Sequence, residues 1–203
     1  MFATLLLSAS GIYSTLLALI IKYGYEALFG LMLLESATVP VPSEVVIPIA
    51  GFLAAKGTMN IYLALLAATA GSMVGMMVDY AIGYYIGKEV IYKHLGFFHL
   101  SRKALDDFDR WFNSNAAASV FFSRLLPVVR TIVSFPAGFS KMDLKAFIGY
   151  SLAGAVIWDS VLIAYGYYLL SSKSAEVVLA SVGILAIVVY IIYRIAMKRL
   201  RKR

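Results

Sequence analysis

Glu35-Ser-Ala-Thr-Val-Pro-Val-Pro-Ser-Glu44 sets two carboxylates and two prolines where the flanking residues lead one to expect an apolar membrane helix. A second stretch, Ser123-Arg-Leu-Leu-Pro-Val-Val-Arg-Thr131, does the same with two arginines around one proline. Proline lacks the backbone donor and collides with the turn before it, so no helix runs unbroken through Pro40 and Pro42 or through Pro127. Broken backbone at membrane depth survives where it is buried in protein or lines a wet cavity. The charges lead to the same place. An ionisable side chain at the bilayer centre costs roughly 2.5 to 3.5 kcal/mol, so Glu35, Glu44, Arg124 and Arg130 facing lipid would together cost on the order of 10 kcal/mol. Paired across a shared cavity they avoid that cost. The two stretches therefore read as facing halves of one polar site inside the membrane.

The remaining composition fits a single membrane domain. Of 203 residues 62% are apolar and mean hydropathy is +0.85, too apolar for a soluble fold and with little length left for a second domain. Cysteine is absent, which removes disulfides, thiolate chemistry and Cys-based metal sites. His94 and His99 both fall in the most polar internal segment, so no multi-histidine metal site inside the membrane is expected, and no cofactor. Lys and Arg number 18 against 11 Asp and Glu. Most of the basic residues flank apolar segments, so topology and anionic lipid account for them better than nucleic acid does. The N-terminus has no basic run ahead of its apolar residues and does not read as a removable signal.

Outward from the two stretches, the chain divides into five segments. Residues 1–22 form an N-terminal apolar helix that could span or lie in the interface. Residues 25–87 form a first unit: a short apolar half-helix from Tyr25 to about Leu34, the proline break, and a second half-helix from Glu44 to Ala55 with Ser43 as N-cap. The turn Gly57–Asn60 and a full span over 61–87 complete it. That span carries Gly71, Gly75, Gly83 and Gly87 as a small-residue face, and Asp79 inside it. Residues 88–114 read as a cytoplasmic amphipathic segment with Ser101 as a plausible N-cap and Trp111 and Phe112 at headgroup level. Residues 115–170 form a second unit: an apolar half-helix, the Pro127 break, a half-helix toward Pro136 and Gly138, and a span containing Gly154 and Asp159. Residues 174–203 are a last transmembrane helix ending in the basic run Met197-Lys-Arg-Leu-Arg-Lys-Arg203.

The two units superimpose by spacing. Pro40 to Gly51 is eleven residues, as is Pro127 to Gly138; Gly71 to Gly83 is twelve, as is Gly154 to Gly166. Gly51 and Gly138 are taken with the prolines as structural breaks. With the basic tail inside, thirteen Lys and Arg are cytoplasmic, Lys22, Lys56 and Lys173 are outside, and Arg124 and Arg130 lie in the membrane. The first hairpin then enters from outside and the second from the cytoplasm. The expected fold is an all-α integral membrane protein with an inverted-topology repeat. Each half is a re-entrant hairpin plus a full span, and the broken helices meet near the midplane where transporters hold substrate.

Two buried guanidinium groups suit a phosphate, because each presents a planar fork to two anionic oxygens and stays charged. Ser43, Thr131 and the half-helix N-termini add donors. Glu35 and Glu44 would pair with the arginines in the absence of ligand. They would also repel a bound phosphate unless one takes a proton, so Glu35, Glu44 and, more weakly, Asp79 are the candidates for proton coupling. Asp159 reads as a packed acid. An enzyme is not expected. Hydrolysis needs a nucleophile with a base, or a metal, and Ser123 and Thr131 have no evident base beyond the glutamates.

Glu35 with Pro40-Val-Pro-Ser-Glu44 and Ala50-Gly51-Phe52, and Phe121-Phe-Ser-Arg-Leu-Leu-Pro-Val-Val-Arg-Thr131 with Ala137-Gly138-Phe139 and Lys141-Met142, resemble the DedA family of membrane proteins, in the SNARE-associated/VTT superfamily, over residues 25–170. The resemblance implies two opposed re-entrant hairpins and the translocation of a phosphorylated polyprenyl carrier lipid, of the undecaprenyl-phosphate type, across the plasma membrane with help from the proton gradient. Eukaryotic members look like lipid scramblases. The family's acidic positions carry over to Glu35 and Glu44 and its basic pair to Arg124 and Arg130. The function expected is thus a lipid-phosphate flippase acting among membrane lipids, with no nucleic-acid partner and homo-oligomerisation left open. Behind it stand a proton/cation antiporter, a scramblase and, last, a lipid phosphatase.

Overall fold

A computed structural model describes residues 2–86, 110, 112, 116–126 and 129–170. Pro127, His94, His99, Gly87, Ser101, nearly all of the amphipathic segment and the last helix with its basic tail lie outside the described residues. Among those described, every regular element is helical.

Helix α1, Phe2–Ser36, is two helices joined at Gly24, whose φ of 57° and ψ of −127° interrupt the helical backbone. Only glycine takes such a conformation without a steric penalty. The N-terminal segment is therefore a helix of its own, bent at Gly24 from the residues that carry Glu35. The chain then turns at Thr38, in the left-handed region at φ 61°, and passes Pro40 and Pro42 in non-helical backbone, where the break was expected. Helix α2, Ser43–Ala55, starts at once. Its N-cap residue is Pro42 and no side chain caps it, which corrects the assignment of Ser43: that hydroxyl is drawn into the polar site instead.

Asn60 caps α3, Ile61–Ile86, its Oδ1 accepting from the backbone N–H of Tyr62 at 2.9 Å and of Leu63 at 3.2 Å. Helix α4 covers Ala116–Arg124. The second leg of this hairpin is not one half-helix but two short pieces, α5 at Val129–Ile132 and α6 at Ser134–Phe139, with Val133 between them. Asp143 caps α7, Leu144–Tyr165, by accepting from the Ala146 N–H at 2.9 Å, and α7 widens into a π-helical turn at Gly166–Leu170. Among the described residues, three stretches are long and apolar enough to cross a membrane: Tyr13–Ser36, Ile61–Ile86 and Leu144–Tyr168.

Gly51 and Gly138 do not break helices; both lie inside them, Gly51 in α2 and Gly138 in α6. Their role is close approach. A Cβ on Gly51 would land on the Ile163 carbonyl of α7, and one on Gly138 on the Tyr80 carbonyl of α3. Each contact is answered one turn away. Gly166 meets the Pro48 carbonyl and Gly83 the Phe135 carbonyl. The offsets coincide, since Pro48 precedes Gly51 by as many residues as Phe135 precedes Gly138, and Ile163 precedes Gly166 as Tyr80 precedes Gly83. Helix α2 is thus seated on α7, and α6 on α3. Gly71 and Gly75 press the same face of α3 on the Phe29 and Leu33 carbonyls of α1, and Gly154 seats α7 on the Arg124 side chain of α4.

Two apolar clusters flank this arrangement. One gathers Leu28, Met32, Val46, Ile47, Ile49 and Trp158 with their neighbours, the other Met76, Tyr80, Val120, Val133 and Phe147 with theirs.

Candidate functional site

The polar side chains meet where the two hairpins approach each other. Glu35, in the last turn of α1, is 6% exposed, and Arg130, in α5, is 8% exposed. They form an ion pair at 2.5 Å between Arg130 Nη2 and Glu35 Oε1. The same Nη2 donates to Ser43 Oγ at the start of α2. Ser36 Oγ donates to the other Glu35 oxygen at 3.1 Å. Beneath the guanidinium lies the Trp158 ring of α7, its centroid 5.2 Å from Arg130 Cζ. Four helices therefore fix one cation.

Arg124 is placed differently. It is buried to 2% exposure at the end of α4. Its Nη1 donates to the backbone carbonyl of Arg130, and its Nη2 donates to Ser134 Oγ at 2.9 Å and to Ser151 Oγ at 3.1 Å. The Phe147 ring lies 5.6 Å from its Cζ. Both terminal nitrogens of Arg124 thus brace the hairpin that presents Arg130, tying α4 to α5, α6 and α7.

The other acids divide as well. Glu44 is half-buried and accepts from Ser43 Oγ at 3.2 Å; among the described residues no ion pair joins it to an arginine, so the expected double Glu–Arg pairing reduces to Glu35 with Arg130. Asp79, fully buried on α3, accepts from Thr38 Oγ1 at 2.5 Å and clamps the proline turn to the span. Asp159, equally buried on α7, accepts from Thr69 Oγ1 of α3 at 2.9 Å. A cavity of about 10 Å³ remains at the centre, lined among others by Glu35, Ser72, Arg124, Arg130, Thr131 and Asp159. That is room for about one water and far less than a phosphate needs.

Of the residues singled out in the sequence, Glu35, Arg124, Arg130 and Thr131 line one cavity, Ser43 bonds to its ion pair, Glu44 accepts from Ser43 without lining the cavity, and Asp79 holds the neighbouring turn. Sequence reasoning missed Trp158, Ser134, Ser151, Thr38 and Thr69. Serine, threonine and tryptophan are at home in membrane helices and carry no signal there without a partner in view.

A helical protein with three apolar spans and a buried guanidinium–carboxylate pair between broken helices is a multi-pass membrane protein with an internal polar site. Residues 41–168 match the VTT domain, and the chain belongs to that family, the DedA family of membrane proteins. It is 34% identical to undecaprenyl phosphate transporter A of Staphylococcus aureus over 71% of this chain and 73% of that one. It is 31% identical to an alkaline phosphatase-like protein of Lactococcus lactis over 84% of this chain and 87% of that one. Identity to protein DedA of Escherichia coli is 27%, over 74% and 72% of the two chains. No solved structure matches the chain.

Proposed function

We propose that this protein moves a phosphorylated polyprenyl carrier lipid across the plasma membrane. The lipid phosphate exchanges with the Glu35 carboxylate on Arg130 while the prenyl chain stays in the bilayer. The observation that carries this reading is the buried Arg130–Glu35 pair, in which one half of the chain supplies the anion site and the other supplies an internal anion that fills it. Arginine is suited to both partners because its fork accepts carboxylate and phosphate oxygens alike. The names of the transporters among its relatives support the same substrate class.

The reciprocal glycine contacts support an inverted repeat, since equal offsets in the two halves are what duplicated units docked on each other would leave. In that topology the basic C-terminal tail is cytoplasmic and the two hairpins enter from opposite sides. Proton coupling is a consequence of the exchange. Glu35 freed from Arg130 beside a phosphate faces heavy repulsion unless it takes up a proton.

One observation favours a second reading, a lipid phosphatase. Ser43 Oγ stands between Glu35 and Glu44 with Arg130 alongside, the elements of a nucleophile, a base and a phosphate clamp. Against it, the Arg130 N–H donates to that same oxygen and draws electron density from it, which weakens it as a nucleophile. Liposomes holding the protein and a polyprenyl monophosphate on one leaflet separate the two. Flipping of intact lipid without release of inorganic phosphate, faster under an imposed pH gradient, supports the transporter; stoichiometric phosphate release overturns it.

A further inference from the structure

Trp158 contributes more than a ring. It lies on α7, 8% exposed, with its indole packed in the apolar cluster around α1 and α2 and its face under the Arg130 guanidinium. Its Nε1–H is buried without a hydrogen-bond partner. A buried indole N–H almost always finds an acceptor, because an unmade bond there forfeits its solvation. The other unpartnered buried side-chain N–H among the described residues is Arg124 Nε, on a residue that lines the cavity and bonds to the Arg130 carbonyl. The ring that lies against Arg130 thus carries a buried donor without an acceptor.

We propose that the Trp158 indole N–H is a direct donor to the oxyanion that binds Arg130, a phosphomonoester oxygen, and that Trp158 selects the ligand-bound state of the site. This rests on the phosphate reading above. With Glu35 on Arg130, the carboxylate satisfies the guanidinium and leaves the indole unpaired. A phosphate has more acceptor oxygens than a carboxylate, and its extra oxygen can take the N–H the carboxylate leaves unmet. The ring also holds the guanidinium plane from below, so the anion meets an oriented fork and an added donor at once.

The sequence contains two tryptophans, Trp111 and Trp158, so Trp111→Phe makes Trp158 the sole indole reporter. In detergent micelles, this protein is titrated with farnesyl phosphate, with farnesol and with inorganic phosphate, and the ultraviolet resonance Raman band that reports indole N–H hydrogen bonding is followed. The band is expected to shift with farnesyl phosphate and not with farnesol. Inorganic phosphate shifting it alone would keep the donor role and remove the lipid from the reading of function. Trp158→Phe, which keeps a ring under Arg130 and deletes the N–H, is expected to weaken farnesyl phosphate binding about tenfold or more, the size of a lost hydrogen bond to a charged acceptor. An unmoved band on saturation, or equal affinity in folded Trp158→Phe protein, overturns the proposal while leaving phosphate transport standing. Absence of any farnesyl phosphate binding to the native protein would instead remove the reading it rests on.

Discussion

Replacing Glu35 removes the internal anion from Arg130 and leaves a buried cation whose remaining contacts set the cost. The pair is closed at 2.5 Å with both side chains at least nine-tenths buried. Breaking such a pair from one side costs about 3 to 5 kcal/mol, because the remaining charge stays buried without its counter-ion. Glu35→Ala takes much of this loss, since Ser43 Oγ and the Trp158 face are the neutral groups left on Arg130 and Asp159, lining the same cavity, offsets only part of it. Glu35→Gln keeps an amide oxygen as acceptor for the guanidinium, and we predict a loss of roughly 1.5 to 3 kcal/mol, that of a weakened charge-assisted hydrogen bond. The same energy works in the opposite direction on ligand binding. A phosphate reaching native Arg130 has to displace the carboxylate, whereas in Glu35→Gln it finds a cation short of an anion. Affinity for a prenyl phosphate should therefore rise roughly ten- to a hundredfold, 1.4 kcal/mol being tenfold. Thermal unfolding in nanodiscs, with and without farnesyl phosphate, measures both. The variant should melt lower than the native protein alone and gain more from ligand. Unchanged melting together with unchanged affinity would show that the ion pair neither stabilises the fold nor competes with phosphate, and exchange on Arg130 would be refuted.

Three further outcomes are expected. Arg124→Lys should unfold more easily, because one ammonium cannot reproduce the spread of a fork over the Arg130 carbonyl, Ser134 and Ser151, whereas Arg130→Lys should fold but bind farnesyl phosphate weakly; melting and affinity measured side by side would refute the division if both variants failed alike. Gly51→Ala and Gly138→Ala each drive a methyl into a backbone carbonyl and should lose about 1 to 3 kcal/mol, while Gly149→Ala, with nothing within 4 Å of the new methyl, should be neutral or slightly stabilising in the same melts. Single cysteines at Asn60 and Lys141 should be labelled by an impermeant reagent from opposite faces of the membrane, and labelling from one face would end the inverted-repeat proposal.

The features legible in the sequence were those that violate the membrane's rules. Pro40 and Pro42 cannot continue a helix and did not; Glu35 and Arg130 cannot face lipid and found each other. The spans over 61–87 and 144–170 were legible by length and composition. What stayed hidden were residues that break no rule. Trp158, Ser134 and Ser151 are ordinary in an apolar helix, and only the fold brings them to the arginines. Glycine misled for a related reason. Gly51 and Gly138 stand at matching places because they admit a neighbouring backbone, and from one chain alone a glycine chosen for closeness reads the same as one chosen for a turn. Ser43 misled because its hydroxyl had two suitors, the helix N-terminus beside it and an arginine 87 residues away, and sequence displays only the first.

That separation bears on how the protein is made. Glu35 and Arg130 are 95 residues apart, and Thr69 and Asp159 are 90 apart. At synthesis rates of about 5 to 20 residues per second, the carboxylate of the first hairpin leaves the ribosome roughly 5 to 20 s before its counter-ion exists. Until then its burial in lipid is opposed by the full penalty for an unpaired acid. Glu35 meets its counter-ion only when the second half arrives to seat α2 on α7 and α6 on α3. The polar site is for this chain the product of a late step, since neither half closes the ion pair until both are made.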